Sequence, residues 1–242
     1  MKHVTIIAEI GINHQGDINK AKKMIDRAKE VGADIAKFQW YRPKDVLGKF
    51  HPALQEAEKA QFSEAQHRVL KEHCESVGIE WGCSVFHKDQ IPMTENMGIK
   101  RYKIASRCAH KASLLMQIAK TRKPIILSTG RSKDQNLNQI RYLLKPAKNL
   151  TLLYCVCKYP TAIEDINLER IDHLYKFAPN VGFSSHCPDT MASIAAVARG
   201  ATVIEHHVVL DDTQIGCDVP ASITFDKLGE LIKTIRHMEK MK

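Results

Sequence analysis

The sequence predicts one α/β domain, a (β/α)8 TIM barrel that takes up residues 1–242. Three observations predict it: short apolar or β-branched runs alternate with stretches of helical periodicity, eight such pairs occur, and the chain length suits a barrel. Several helical stretches end at a glycine before the next run, as in VGADIAKFQW and RGATVIEHH, which is typical of helix C-caps. A doubly wound open sheet is the second candidate, but no G-x-G-x-x-G motif follows the first run.

Each apolar run has the length of a buried strand, and turn residues bound it. The predicted strands are residues 4–9, 34–40, 80–84, 101–106, 124–128, 150–157, 181–186 and 202–208. The predicted helices are residues 18–31, 64–77, 89–97, 113–120, 137–144, 168–177, 191–199 and 223–241. Residues 42–62 follow neither pattern, and we expect them to form a long loop over the barrel mouth.

Composition and charge narrow the class of protein. The net charge of +9 is spread along the chain and aromatic residues make up only 6%, so we expect small anionic substrates and no nucleic acid. No apolar run is long enough to cross a bilayer, and neither end resembles a targeting peptide. We therefore expect no membrane partner and a cytoplasmic location. The odd set of seven cysteines, without secretory context, predicts free thiols.

Alternation along the strands predicts which polar side chains meet. Residues two apart on a strand share a face, and one face of a barrel strand points at the axis. Barrel axes are usually filled by apolar side chains, so many polar groups at strand ends indicate a ligand at the C-terminal mouth. The polar residues on this face are Glu9, Lys37, Gln39, Ser84, Lys103, Cys155, Cys157, Tyr159, Ser184, His186, Glu205 and His207.

Two of these residues suggest a metal site. His186 and His207 end the seventh and eighth predicted strands, which are neighbours in a barrel. Two imidazoles at one opening suit a divalent metal such as Mn²⁺, Zn²⁺ or Fe²⁺. Asp218, in the following GCD loop, is a candidate acidic ligand or a partner of an imidazole. His206 should face the helices instead.

Other residues on the same face suggest an anion site. Lys37 and Lys103 end the second and fourth predicted strands, and charge-assisted hydrogen bonds from ammonium groups suit a phosphate or a carboxylate. Each of these residues could instead have a purely structural role. A strand-end lysine can pair with a carboxylate, and a strand-end serine can cap the next helix. The hydroxyl groups that could complete the site belong to Ser84, Ser106, Ser128 and Ser184.

A family resemblance extends these expectations. The segment AEIGINHQGDINKAKKMIDRAKEVGADIAKFQ, followed in order by YKIAS, KPIILSTG, YPTAIEDINL, VGFSSH and AAVARGATVIEHH, resembles the N-acetylneuraminate (sialic acid) synthase family over about residues 4–225. The resemblance implies a barrel that condenses phosphoenolpyruvate with a mannose-type or related sugar to give a 2-keto acid, with a divalent metal, usually Mn²⁺. It implies metal ligation by His186 and His207. Phosphoenolpyruvate would be held by Lys37, Ser84, Lys103, Ser106 and Ser184, and the sugar and the reacting centre would be lined by Glu9, Gln39, Tyr159 and Asp218.

The sequence departs from that family at the mouth. Cys108 stands where the family usually has an acidic residue, and Cys157 stands where it usually has an asparagine. The chain also ends after its eighth helix, without the antifreeze-like domain that covers a partner's site in the family. We therefore expect a homodimer or a separate cover-domain protein as a partner. The expected catalytic residues are Glu9, Lys103, Tyr159 and Asp218.

Three functions follow from these observations. The first is a phosphoenolpyruvate-dependent synthase that acts on an aldehyde acceptor. The second is a metal-free aldolase that uses Lys37 or Lys103 as a Schiff-base nucleophile, which requires a lysine of depressed pKa. The third is a noncatalytic barrel that binds an anion and serves as a subunit. We rank them in this order.

Overall fold

Eight parallel strands close into a barrel, because the first strand pairs with both the second and the eighth. The computed structural model describes residues 2–48, 50–51 and 53–241, so residues 1 and 242 of the predicted domain and residues 49 and 52 of the predicted loop lie outside the described residues. The prediction of a TIM barrel is confirmed. The barrel strands are β1 (Thr5–Gly11), β2 (Ile35–Trp40), β3 (Glu80–Val85), β4 (Tyr102–Ile104), β5 (Ile125–Ser128), β6 (Leu150–Tyr154), β7 (Asn180–Ser185) and β8 (Val203–Val209).

Helices alternate with the strands, and local sequence fixes several of their ends. Asp17 accepts hydrogen bonds from the first backbone amides of the first helix, and Ser63 forms a capping box with Gln66 on the fourth. No described helix is long and apolar enough to cross a bilayer. The helices are α1 (Ile18–Glu30), α2 (Pro43–Val46), α3 (Leu54–Lys59), α4 (Glu64–Val77), α5 (Gln90–Asn96), α6 (Ala112–Lys120), α7 (Asp134–Leu143), α8 (Glu169–Leu174), α9 (Met191–Ala198) and α10 (Phe225–Glu239).

The structure differs from the predicted elements at several places, and the ends of other elements shift by one to three residues. Strand β4 ends before Ser106, because a 3-10 turn begins there, and β6 ends at Tyr154, three residues early. The predicted loop over the mouth contains the short helices α2 and α3. A short additional strand, β9 (Ser222–Thr224), pairs with β8 just before α10.

An apolar layer fills the barrel below its C-terminal mouth. These side chains form a cluster separate from the larger core between strands and helices. Each member stands two residues before a polar residue of the mouth, so both lie on the inward face of the same strand. The barrel interior is therefore apolar below and polar above. The members of the apolar layer are Ile7, Ile35, Ile126, Leu153 and Val203.

Candidate functional site

The polar layer surrounds a cavity of about 370 Å³ at the C-terminal mouth. Every residue that the sequence predicted for the site lines this cavity, although the role of each stays a prediction. The strands deliver these side chains from all around the barrel, which is how barrel enzymes assemble their sites. The predicted residues are Glu9, Lys37, Gln39, Ser84, Lys103, Ser106, Ser128, Tyr159, Ser184, His186, His207 and Asp218.

Lys37 lies in a buried cluster of charge on one side of the cavity. Its ammonium group contacts the carboxylate of Glu9, lies 3.4 Å from Glu205 and donates to Ser84 Oγ at 3.1 Å. Burial alone would lower the pKa of Lys37, but the carboxylates of Glu205 and Glu9 outweigh burial and raise that pKa. The Lys37 side chain is therefore held as a cation inside the barrel.

Lys103 occupies the neighbouring part of the same cluster. Its ammonium group donates to Ser128 Oγ at 2.8 Å and lies 3.3 Å from Glu205 Oε1, which also accepts from Ser184 Oγ at 2.8 Å. Burial tends to raise the pKa of Glu205, but Lys103 and Lys37 lower it well below its ordinary value. The two lysines therefore pair with carboxylates, as the structural interpretation of the sequence expected. They also line the cavity, so both interpretations apply to them.

The two predicted metal ligands lie side by side across the mouth. The ring centroids of His186 and His207 are 5.6 Å apart. His186 Nδ1 lies 2.6 Å from the carbonyl oxygen of Val156, so that Nδ1 carries the proton and Nε2 accepts from the Tyr159 hydroxyl at 2.8 Å. Burial, assisted by His207, lowers the pKa of His186 to about 3, and the ring is neutral at pH 7.

These two imidazoles fit a divalent metal by their chemistry. His186 presents a neutral ring with a lone pair on Nε2, and His207 Nδ1 makes no hydrogen bond with any described residue although it is buried. Asp218 Oδ2 lies 3.5 Å from that nitrogen. Among the described residues, no group of three or more His, Cys, Asp or Glu side chains is already arranged around one point. A metal here would complete its shell with water or substrate.

His206 has the orientation that strand alternation predicts. Its Nε2 lies 2.7 Å from Ser193 Oγ on α9, and the side chain is fully buried. His206 therefore belongs to the layer between barrel and helices, whereas the adjacent His207 belongs to the cavity.

The residues of 42–62 cover one side of the cavity. Tyr41 donates to the carbonyl oxygen of Ala57 at 2.8 Å, and the Glu56 carboxylate accepts from the backbone amide of Cys217 at 3.0 Å. These bonds join the segment to Tyr41, which directly follows β2, and to the loop after β8. The expected position over the mouth is thus confirmed for the described residues, and His51 and Ala53 of this segment line the cavity.

Several lining residues had no predicted role. Strand alternation places Glu205 on the inward face, and its partners Lys37 and Lys103 were both predicted site residues. A role for Glu205 could therefore have been predicted from the sequence. Others stand outside the strands, where strand alternation does not apply, so sequence alone does not orient their side chains. They include Arg107, Arg131 and Cys217.

Comparisons with known proteins show the family to which the chain belongs. The model of the NeuB family matches residues 24–242. The chain belongs to the NeuB family. It is 34% identical to human N-acetylneuraminate-9-phosphate synthase over 253 residues, covering 97% of this chain and 70% of the human protein. It is 35% identical to the N,N'-diacetyllegionaminic acid synthase of Campylobacter jejuni, covering 99% of this chain and 78% of the relative.

A solved NeuB-type structure has the same barrel. The crystal structure of N-acetylneuraminic acid synthetase from Leptospira borgpetersenii, in complex with citrate, matches with a TM-score of 0.95 at 32% identity. The match covers 99% of this chain and 85% of that one. This NeuB-family protein is accordingly a sialic acid synthase-like enzyme with a barrel fold.

Proposed function

We propose that the protein condenses phosphoenolpyruvate with the aldehyde of a sugar-type acceptor, and releases phosphate and a 2-keto acid. The observation that carries this proposal is a cavity with two different sides. Lys37 and Lys103 stand with strand-end hydroxyl groups on one side, and His186 and His207 stand on the other. Relatives named as synthases of sialic and legionaminic acids support the same reaction class.

The lysine side suits an anion that carries phosphate and carboxylate groups. Glu205 and Glu9 keep the ammonium group of Lys37 charged, and Ser84 and Ser128 hold the two ammonium groups in position. Such preorganised charge needs no rearrangement as the negative charge of the substrate shifts during reaction. Lys37 and Lys103 would thus bind phosphoenolpyruvate and stabilise the departing phosphate, with Ser106 and Ser184 as further donors.

The imidazole side suits the acceptor. A divalent metal, Mn²⁺ first, with Zn²⁺ or Fe²⁺ as alternatives, would be held by His186 and His207. When bound, it would polarise the acceptor aldehyde as a Lewis acid. Tyr159 stacks on His186 with ring centroids 4.0 Å apart and fixes the plane of that ring. The Tyr159 hydroxyl keeps its proton at pH 7, since an unperturbed phenol has a pKa of about 10, and it can donate to the acceptor once it leaves His186 Nε2.

The bond-forming step joins C3 of phosphoenolpyruvate to the aldehyde carbon, after which water adds at C2 and phosphate leaves. Two carboxylates beside the reacting groups are available for the proton transfers. Glu9 is held by Lys37 and by Gln39 Nε2 at 2.7 Å, which suits an orienting role. Asp218 has a side chain that is 17% exposed, so it can exchange protons with water. We assign proton transfer to Asp218 first and to Glu9 second.

The Schiff-base alternative is disfavoured by the charges around Lys37. A nucleophilic lysine needs a depressed pKa, whereas the carboxylates here raise the pKa of Lys37. Lys103 is also ion-paired, at 3.3 Å from Glu205. Borohydride treatment in the presence of pyruvate should leave no covalent adduct on either lysine, and an adduct would favour the aldolase.

Phosphate release tests the proposal. Purified protein with phosphoenolpyruvate, Mn²⁺ and a panel of N-acetylated and simple aldoses should release phosphate and form a 2-keto acid, which mass spectrometry identifies. Lys103→Met should lose this activity, whereas Lys29→Met, which removes a lysine on the outer surface that bonds to Gly78, should keep it. Binding of phosphoenolpyruvate with no phosphate release for any acceptor would favour the noncatalytic barrel.

A further inference from the structure

Two thiols lie together on the wall of the cavity, between the lysine side and the open mouth. Cys155 and Cys157 follow β6 and both line the cavity. A side chain at residue 130 would meet Cys157 Sγ at 2.7 Å and Cys155 Sγ at 2.8 Å, so both sulfur atoms rest on the same face of Gly130. Both sulfur atoms are thus close neighbours, and each affects the protonation of the other. They therefore form a pair, which we call the Cys155–Cys157 pair.

The surroundings of the pair are polar and positive. Ser106 Oγ lies 3.2 Å from Cys155 Sγ and accepts from the backbone amide of Gly130 at 3.0 Å. The charge of Arg131 and the polar hydroxyl of Ser106 both favour the thiolate form of Cys157. Thiolates form where a cation and hydrogen-bond donors surround a partly exposed cysteine, and Cys157 is exposed while Cys155 is buried.

The two thiols consequently differ in protonation. The neighbouring thiol of Cys155, followed by Ser106 and Arg131, lowers the pKa of Cys157 despite its partial burial. The nearby Cys157 and burial together raise the pKa of Cys155. One member is thus a thiolate that an oxidant can reach, and the other is a protonated thiol beside it.

We propose that the Cys155–Cys157 pair is a redox modification site that takes a hydroperoxide such as hydrogen peroxide. The Cys157 thiolate attacks the peroxide, the O–O bond breaks, and with one proton taken up the products are a sulfenic acid and water. The sulfur of Cys155 then attacks the sulfenic sulfur, its proton joins the departing hydroxide as a second water, and a disulfide forms. Two thiols and one peroxide give one disulfide and two waters.

Oxidation of the pair would change the substrate cavity itself. It removes the negative charge beside Arg131 and draws the Cys155 sulfur from its contact with Ser106. The inference does not depend on the proposed reaction, because its readouts are chemical states of the two sulfurs.

Cys217 provides a matched control within the same cavity. It is also exposed and lines the mouth, but burial and the carboxylates of Asp218 and Glu56 raise its pKa to about 12. Two cysteines of similar access therefore have opposite electrostatic surroundings. At pH 7, iodoacetamide should label Cys157 at least about tenfold faster than Cys217, as measured on peptides by mass spectrometry.

Peroxide treatment of the purified protein tests the disulfide. The tryptic peptide of residues 149–158 contains both cysteines of the pair, and after oxidation it should be two hydrogens lighter and resistant to alkylation. In Cys155→Ser, oxidation should stop at a sulfenic acid on Cys157 that dimedone traps. Equal labelling of Cys157 and Cys217, or peroxide treatment that leaves residues 149–158 fully alkylable in the wild type, would overturn the proposal.

Discussion

The carboxylate of Glu205 lies 3.3 Å from the ammonium group of Lys103 at the centre of the barrel mouth, and each side chain is 6% exposed. Lys37 lies 3.4 Å from the other oxygen of the same carboxylate. A single buried anion therefore stands between two buried cations. Because the Glu205 carboxylate lies close to both ammonium groups, removing its negative charge would leave the positive charges of Lys37 and Lys103 only partly neutralised.

Glu205→Gln should destabilise the fold by about 3 kcal/mol, since removing one partner of a buried ion pair leaves the other uncompensated. Denaturant unfolding monitored by tryptophan fluorescence measures this loss. The matched control is Glu80→Gln, which removes the partner of Arg101 from a half-buried pair near the other end of the barrel. We expect the control to lose at most about 1 kcal/mol. Similar losses in both variants would contradict the assignment of Glu205.

Gly16→Ala should detach part of the segment over the mouth. Gly16 has φ +80°, and a methyl group there would lie 2.2 Å from the carbonyl oxygen of Lys59 at the end of α3. Hydrogen exchange over residues 54–60 should therefore become faster. Gly98→Ala is the control, because Gly98 also has φ +73° but nothing lies within 4 Å of the added methyl group. The control should cost about 1 kcal/mol of strain and leave exchange in the segment unchanged.

His67→Leu should reduce the loss of stability in acid. His67 is fully buried against Trp40 and Trp81, and burial lowers its pKa to about 3. The unfolded chain takes up a proton near the ordinary histidine pKa, so the folded state loses stability as the pH falls from about 6.5 toward 3. Between pH 7 and pH 4.5 the variant should lose about 2 kcal/mol less than the wild type in urea unfolding. The control is His237→Leu, at an exposed position on α10, for which no comparable reduction is expected.

Tyr159→Phe should strengthen metal binding. The Tyr159 hydroxyl occupies the lone pair of His186 Nε2 at 2.8 Å, and a metal has to displace this hydrogen bond. Removing a hydrogen bond of about 1 kcal/mol should tighten Mn²⁺ binding roughly fivefold in a calorimetric titration. Weaker binding in the variant would mean that the hydroxyl itself is a ligand.

His207→Ala and His206→Ala should separate catalysis from stability. His207 faces the cavity, so its removal should abolish phosphate release while the unfolding midpoint stays close to that of the wild type. His206 bonds to Ser193 behind the barrel, so its removal should cost about 2 kcal/mol or more and retain phosphate release. Full turnover in His207→Ala would exclude the metal assignment.

Most of the barrel could be predicted because two simple periods govern it. Alternation within strands oriented Lys37, Lys103, His186 and His207 into one cavity and His206 out of it. The ends of β4 and β6 could not be predicted, because Ser106 continues an apolar run but enters a 3-10 turn, where backbone hydrogen bonding decides.

The loops set the limit of prediction for the site. Arg131 and Cys217 belong to loops, and their positions beside Cys157 and Asp218 depend on tertiary packing that no local pattern encodes. The same applies to α2 and α3, whose short sequences carry weak helical periodicity. The proximity of the Cys155 and Cys157 sulfur atoms also depends on Gly130, because a side chain at that position would occupy the space where both sulfur atoms lie.

A crystal structure with phosphoenolpyruvate and Mn²⁺ bound tests the central claim most directly, because it shows the two sides of the cavity occupied or not. The phosphate or carboxylate oxygens should lie within hydrogen-bond distance of Lys37 Nζ and Lys103 Nζ, and the metal should bind His186 and His207. Phosphoenolpyruvate bound away from both lysines, or Mn²⁺ bound without either imidazole, would contradict the proposed division of the site.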